Sequence, residues 1–91
     1  MRIEFDPAKS EHNARTRRLP FSAVADFDFD TAMVVEDRRH SYPERRFVAT
    51  GYIAERVHVM CFTPATDGIR VISLRKANKR EIKIYEKTAH R

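Results

Sequence analysis

Ninety-one residues, 42% hydrophobic and 34% charged with only two glycines and four prolines, suit one domain covering residues 1–91 and exclude disordered, collagen-like and low-complexity chains. No unbroken apolar run, residues 59–62 among them, exceeds four residues, far below the roughly 20 a membrane span needs, and Glu4 and Asp6 stand where a signal peptide would be apolar. Lysine and arginine number 18 against 13 acids, a formal charge of +5, and the single Cys61 has no internal disulfide partner, which fits a reducing cytoplasm.

Ile3 and Phe5 alternate with polar neighbours, so residues 2–5 read as a short strand. Asp6-Pro7 then starts a helix, because aspartate caps free N–H groups and proline suits the first helical position. That helix is expected to reach about Arg17 on a thin apolar face of Ala8 and Ala14, lying on the surface and held mainly at its ends. Leu19-Pro20 stops it, since a residue before proline disfavours helix. A second short helix from Phe21 to about Phe27 buries Phe21 and Val24. The acid–aromatic alternation of residues 26–30 closes that helix and turns into the next strand, or else forms a partner-binding ridge; the turn is the preferred reading.

The period then changes to two. Strands are expected at 32–36, 45–53, 56–63 and 69–75, joined by a polar loop at 37–44 and a turn at 64–68, which read as an antiparallel meander. Phe47, Ala49 and Gly51 take one face against Arg46, Val48, Thr50 and Tyr52, and Val57, Val59 and Cys61 oppose His58, Met60 and Phe62. A closing helix begins at the capping-box pair Asn78 and Glu81 and packs Ile82, Tyr85 and Ala89 on the sheet.

Charge is uneven along this frame. Residues 70–91 hold eight basic and two acidic residues, while the first 69 are close to neutral. Lys76, Lys79 or Arg80, Lys83 and Lys87 recur at three- to four-residue spacing, where like charges repel. Such a stripe points to a polyanion (nucleic acid, an anionic membrane surface or an acidic protein segment), its plain alternative being a solvated helix face.

Several chemistries find no support. His12, His40, His58, His90 and Cys61 show no paired ligand spacing, and Asp37 and Glu44 are surrounded by Arg38, Arg39, Arg45 and Arg46, so no metal or other cofactor is expected. Neither glycine belongs to a phosphate-cradling loop, and no serine sits in a nucleophile elbow. What remains is Arg46 beside Glu44 and His40, and Ser73 and Arg75 on one face of a strand leading into Lys76, Lys79 and Arg80. If those strands lie near each other, they form a basic concavity with a carboxylate and an imidazole at its rim. RNA carries its own nucleophile, the 2′-hydroxyl, so cleavage needs only a base, an acid and cations for the developing charge. On these residues alone, plain binding without chemistry is the simpler reading.

The ordered motifs change that balance. Phe5-Asp6-Pro7-Ala8-Lys9 with Asn13, Asp37-Arg38-Arg39-His40-Ser41 with Glu44-Arg45-Arg46-Phe47 and Gly51, Phe62-Thr63, and residues 69–77 with Glu81 and Tyr85 resemble the BrnT family of bacterial toxins over about residues 3–86. The resemblance implies an α+β, RelE-like fold: a short N-terminal strand and two helices packed on an antiparallel sheet of about four strands, then a C-terminal helix. It implies a metal-independent endoribonuclease that arrests translation and growth in the cytoplasm, without contact with membrane. It also implies a toxin–antitoxin hetero-oligomer with a cognate BrnA-like antitoxin, whose ribbon-helix-helix part alone meets operator DNA. Carried onto this chain, Arg46, Arg75, Lys79 and Arg80 bind phosphate and stabilise charge, Glu44 is the base, and His40 is the acid or alternate base. Arg17, Lys76, Lys83 and Tyr85 contact RNA, with Tyr85 as an orienting group. Glu44 pairing with Arg46, and Tyr85 buried in the core, are the competing structural readings. Thr16-Arg17-Arg18 stands where the family usually has Lys-His-Gly, so Arg17 supplies charge there and no base. Phe5 stands where tryptophan is common.

Overall fold

The computed structural model describes residues 1–89; His90 and Arg91, and with them part of the basic count above, lie outside the described residues, as does the side chain of Ala89. In chain order it comprises β1 (Arg2–Glu4), α1 (Pro7–Arg17), a 3₁₀ helix (Phe21–Asp26), β2 (Met33–Glu36), β3 (Phe47–Ile53), β4 (Arg56–Ala65), β5 (Gly68–Lys76) and α2 (Lys79–Ala89). The strands form one sheet in the order β1-β5-β4-β3-β2. Neighbours in the β2–β5 meander are antiparallel, while β1 runs parallel to β5.

The result is an α+β architecture whose sheet has five strands and is mixed, where four antiparallel strands were expected. The addition is β1, with Arg2, Ile3 and Glu4 opposite Gly68, Ile69 and Arg70. A Cβ at Gly68 would lie 1.8 Å from the Arg2 carbonyl oxygen, so only a bare Cα lets this edge close. Local alternation marks the three residues as extended but carries no trace of a partner 66 positions away in register.

Helix α1 has the expected bounds. Asp6 caps it, its Oδ1 accepting from the Ala8 N–H at 2.9 Å, and Arg18 ends it in the left-handed region at φ 54°. Its attachment differs from expectation: the middle of the helix is clamped as well as its ends. Buried Ser10 accepts the Phe21 N–H at 2.9 Å, and the Asn13 amide donates to the carbonyls of Leu19 at 2.8 Å and Leu74 at 2.9 Å. Two polar side chains thus replace the apolar face that the helix lacks.

The second helix is 3₁₀, closed by i+3 bonds such as Phe27 N–H to Val24 C=O at 3.0 Å, and it buries Phe21 and Val24. Residues 26–30 are a turn. Phe27 is buried and lies edge-on to Phe29 at 4.9 Å, while the Asp28 carboxylate accepts from the Asp30 N–H and the Thr31 hydroxyl.

The sheet has two unlike faces. On the first, Ala49, Met60, Phe62, Val71 and Leu74 meet Leu19, Phe21, Val24 and Phe27 in one apolar core. Each large side chain so buried contributes about 1.5–3 kcal/mol. On the second, α2 packs Tyr85 and Ile82 against Val48, Tyr52, Val57 and Val59. The capping box is formed: Glu81 N–H donates to Asn78 Oδ1 at 2.8 Å and Asn78 N–H to Glu81 Oε1 at 2.9 Å. Tyr85 is wholly buried, edge-on to Tyr52, and its hydroxyl donates to the Thr31 carbonyl at 2.9 Å. Helix α2 does not reach across the whole second face.

Candidate functional site

The part of the second face that α2 leaves open is a cleft of about 450 Å³. Its floor follows from strand register: Val48, Cys61 and Ser73 lie in one row across β3, β4 and β5, with Val59 and Arg75 paired in a neighbouring row. Beyond Ser73 the ladder slips, since Cys61 pairs with Ser73 but Phe62 with Val71, leaving Ile72 as an extra residue on β5. Tyr42 and Arg46 wall the cleft from the β2–β3 connection, and Arg75 and Glu81 wall it from β5 and α2.

Arg75 meets Glu81 as a fork, Nη1 to Oε1 at 2.7 Å and Nη2 to Oε2 at 2.8 Å. An arginine on this strand calls for an anion, and the chain supplies one itself. The Arg75 guanidinium, helped by the Asn78 N–H, lowers the Glu81 carboxyl to about 2 despite partial burial. One carboxylate therefore both starts α2 and orients Arg75.

On the other wall, Asp37 organises the loop. Its side chain is only 3% exposed and accepts from the Arg39 N–H at 3.1 Å, Arg39 Nε and Nη2 at 2.9 Å, and the Tyr42 hydroxyl at 3.1 Å. The Arg39 bonds hold the Asp37 carboxyl well below the usual carboxylate range. The Tyr42 ring lies under the Arg46 guanidinium, 4.2 Å from centroid to Cζ. Arg46 has no ion pair or hydrogen-bond acceptor among the described residues, and its Nε is shielded from solvent. The cleft thus presents three guanidiniums (Arg39, Arg46, Arg75) and two carboxylates (Asp37, Glu81), leaving one positive charge uncompensated. That surplus sits on Arg46.

Of the residues singled out in the sequence, Arg46 and Arg75 share this cleft. His40 and Glu44 line a neighbouring depression, also about 450 Å³, which shares Asp37, Tyr42 and Arg46 with it. Glu44 makes no salt bridge to Arg46. Lys79, Arg80 and Lys83 border a separate groove on α2 with Ile82. They do not extend the cleft as expected, because the N-terminal turn of α2 aims Glu81 inward and its basic neighbours elsewhere. Lys76 and Arg17 are exposed outside the cleft lining. Tyr85 requires correction: at 0% exposure, and bonded to Thr31, it braces the core and offers RNA no surface.

Sequence reasoning passed over Asp37, Tyr42 and Glu81 as members of the site. Glu81 was legible as a cap, but its contact with Arg75 depends on how α2 leaves β5, which strand register does not give. No periodicity marks Tyr42. Two further groups are not poised for chemistry. Burial lowers the His58 imidazole, whose Nδ1 lies 2.7 Å from the Arg56 carbonyl, and burial pushes the Cys61 thiol up, keeping it neutral. No three His, Cys, Asp or Glu side chains among the described residues converge as a metal would require.

A family model described as the ribonuclease toxin BrnT of type II toxin–antitoxin systems matches residues 5–81. The chain belongs to the BrnT family. No curated protein and no solved structure matches it significantly. The matched span takes in the cleft walls from Asp37 to Glu81, so the unpaired Arg46 guanidinium of this BrnT protein lies inside the family region. Membership makes the chain the toxin of a toxin–antitoxin pair, of a family named for ribonuclease action, and implies a cognate antitoxin. No described helix is long and apolar enough to cross a membrane.

Proposed function

We propose that this BrnT toxin is a metal-independent endoribonuclease that inhibits translation in the cytoplasm, acting as one domain of RelE-like fold. The observation that carries the proposal is the pairing of Arg46 and Arg75 on opposite walls of one cleft, with Arg46 lacking any acid of its own. A phosphodiester supplies the missing acceptor. As the RNA 2′-oxygen attacks phosphorus and the bond to the 5′-oxygen breaks, negative charge grows on the non-bridging oxygens. Arginines held in place before the reaction stabilise that charge without reorganising, each worth about 10²–10³ in rate. Arg75 is held by Glu81 and Arg46 by stacking on Tyr42.

Both carboxylates of the cleft are committed to arginines, so the proton transfers fall to groups across the Tyr42–Arg46 wall. Glu44 serves there as the base and His40 as the acid, reached by a strand of RNA that lies over both depressions. General acid–base help of this kind is worth about 10²–10⁴. Lys76, Lys79, Arg80 and Lys83, with Arg17, attract the polyanion at longer range. The partner is a BrnA-like antitoxin whose ribbon-helix-helix part binds operator DNA, forming a hetero-oligomer with the toxin.

Purified protein is expected to cleave single-stranded RNA in the presence of EDTA, and Arg75→Ala to lower the rate about 10²-fold or more with the fold intact by circular dichroism. RNA left whole at high protein concentration, but still bound with steep salt dependence, would replace the enzyme by a non-catalytic nucleic-acid-binding module.

A further inference from the structure

The β2–β3 connection carries four arginines, and three of them have acids. Arg38 and Arg45 share Glu36 at 3.0 and 3.1 Å, and Arg39 takes Asp37. Those three side chains are 81%, 69% and 75% exposed. Arg46, partly buried and with its Nε wholly shielded, is the one left without an acceptor. Leaving a shielded charged donor unmade costs more than leaving an exposed one, so the arrangement opposes what stability alone would select. Something other than charge pairing must fix this side chain, whose long stem otherwise has many rotamers.

We infer that Asp37 and Tyr42 are positioning residues for Arg46: the buried carboxylate fixes the phenol, and the phenol ring fixes the guanidinium plane with its charge left unspent for a phosphate. Asp37 accepts four hydrogen bonds, three from Arg39 and one from the Tyr42 hydroxyl, so its position in the loop is fully determined. The hydroxyl bond sets the ring's position at its far end, and His40 lies edge-on to the same ring at 5.7 Å between centroids. An aromatic face orients an arginine without neutralising it, whereas a carboxylate in the same place would compete with the ligand. The two walls of the cleft therefore use opposite devices: Glu81 holds Arg75 by pairing it, and Tyr42 holds Arg46 by stacking it. Ordering the side chain in the free protein removes an entropy cost from binding, which shows as affinity.

The inference rests on Arg46 as a phosphate-binding group, and two measurements separate the claims. The first is binding of a single-stranded RNA oligonucleotide with 2′-O-methyl groups throughout, so that it cannot be cut, followed by fluorescence anisotropy. Tyr42→Phe keeps the ring and removes the tether, and is expected to weaken binding by about threefold to tenfold; Tyr42→Leu removes both and approaches Arg46→Ala. In the Arg46→Ala background, Tyr42→Phe is expected to change nothing further, a non-additivity that a merely structural tyrosine would not produce. The second measurement is the Arg46 Nε–H resonance of the full chain without RNA. In the native protein it is expected to be ring-shifted and slow to exchange, and Tyr42→Phe and Asp37→Asn are expected to move it toward the position of a free arginine. Should Asp37→Asn fail to fold, Tyr42→Phe decides. An unmoved resonance in folded Tyr42→Phe, or an equal loss of affinity with and without Arg46, overturns the positioning role. Unchanged RNA affinity in Arg46→Ala overturns the phosphate reading instead, while the resonance still tests the positioning.

Discussion

One face of the sheet carries a continuous apolar core under α1 and the 3₁₀ helix; the other carries α2 over part of its width and a polar cleft over the rest. Both faces are built from the same strands, with residues alternating between them. Met60 and Leu74 point into the closed side, Cys61 and Arg75 into the open one. The closed side holds the structure together by area removed from water, and the open side keeps charged groups where a ligand can reach them. A β-strand lets neighbouring residues serve these two ends independently.

That division can be broken most forcibly at Met60, which is fully buried. Met60→Ala is expected to cost about 2–5 kcal/mol, and for a domain of this size each kcal/mol lowers Tm by roughly 4–8 °C. Arg46→Ala, on the open face, should leave Tm almost unchanged while abolishing most cleavage. A large Tm loss in Arg46→Ala would mean that the cleft is structural after all. A smaller test addresses the polar clamp of α1. Asn13→Ala removes two hydrogen bonds to Leu19 and Leu74 carbonyls and should cost about 1–3 kcal/mol by chemical denaturation, with cleavage by the folded protein unaffected.

The meander, the face alternation of β3 and β4, both helix starts and the turn at residues 26–30 were legible in the sequence because each rests on local spacing or on a cap within three residues. The parallel docking of β1 was not, since Arg2 and Gly68 meet only through the finished sheet. The site divided in the same way. Arg46 and Arg75 could be named as cations in need of an anion, although β3 starts only at Phe47, leaving Arg46 in the connection, and Arg75 finds its anion in Glu81. Which basic residues join them depends on the angle at which α2 leaves the sheet, and that angle separates Lys79 and Arg80 from the cleft. Tyr42 sits in an irregular loop ordered by Asp37, where no periodic signal exists.

A pH titration sharpens the contrast between the two arginines. Glu81 has its folded value lowered from 4.5 to about 2, chiefly by Arg75. Its stabilisation is therefore complete above pH 4.5 and is lost as pH falls toward 2. Glu81→Gln should flatten that part of the acid-unfolding curve, whereas Arg46→Ala, with no carboxylate partner, should leave its shape alone. The smallest effect is expected at the β3–β4 turn. Ala54 sits at φ 54°, where a Cβ costs about 1–2 kcal/mol, so Ala54→Gly, after glycine's entropy cost of about 0.5–1 kcal/mol, should stabilise slightly in denaturant titration with no change at the cleft.

The capping carboxylate has a temporal consequence. Ribosomes extend chains from the N-terminus, so every strand is made before Glu81 emerges, and until then Arg75 has neither its fork nor a helix beside it. Orientation of Arg75 is therefore among the last local events of folding, since it waits on both the final strand and the first turn of the final helix.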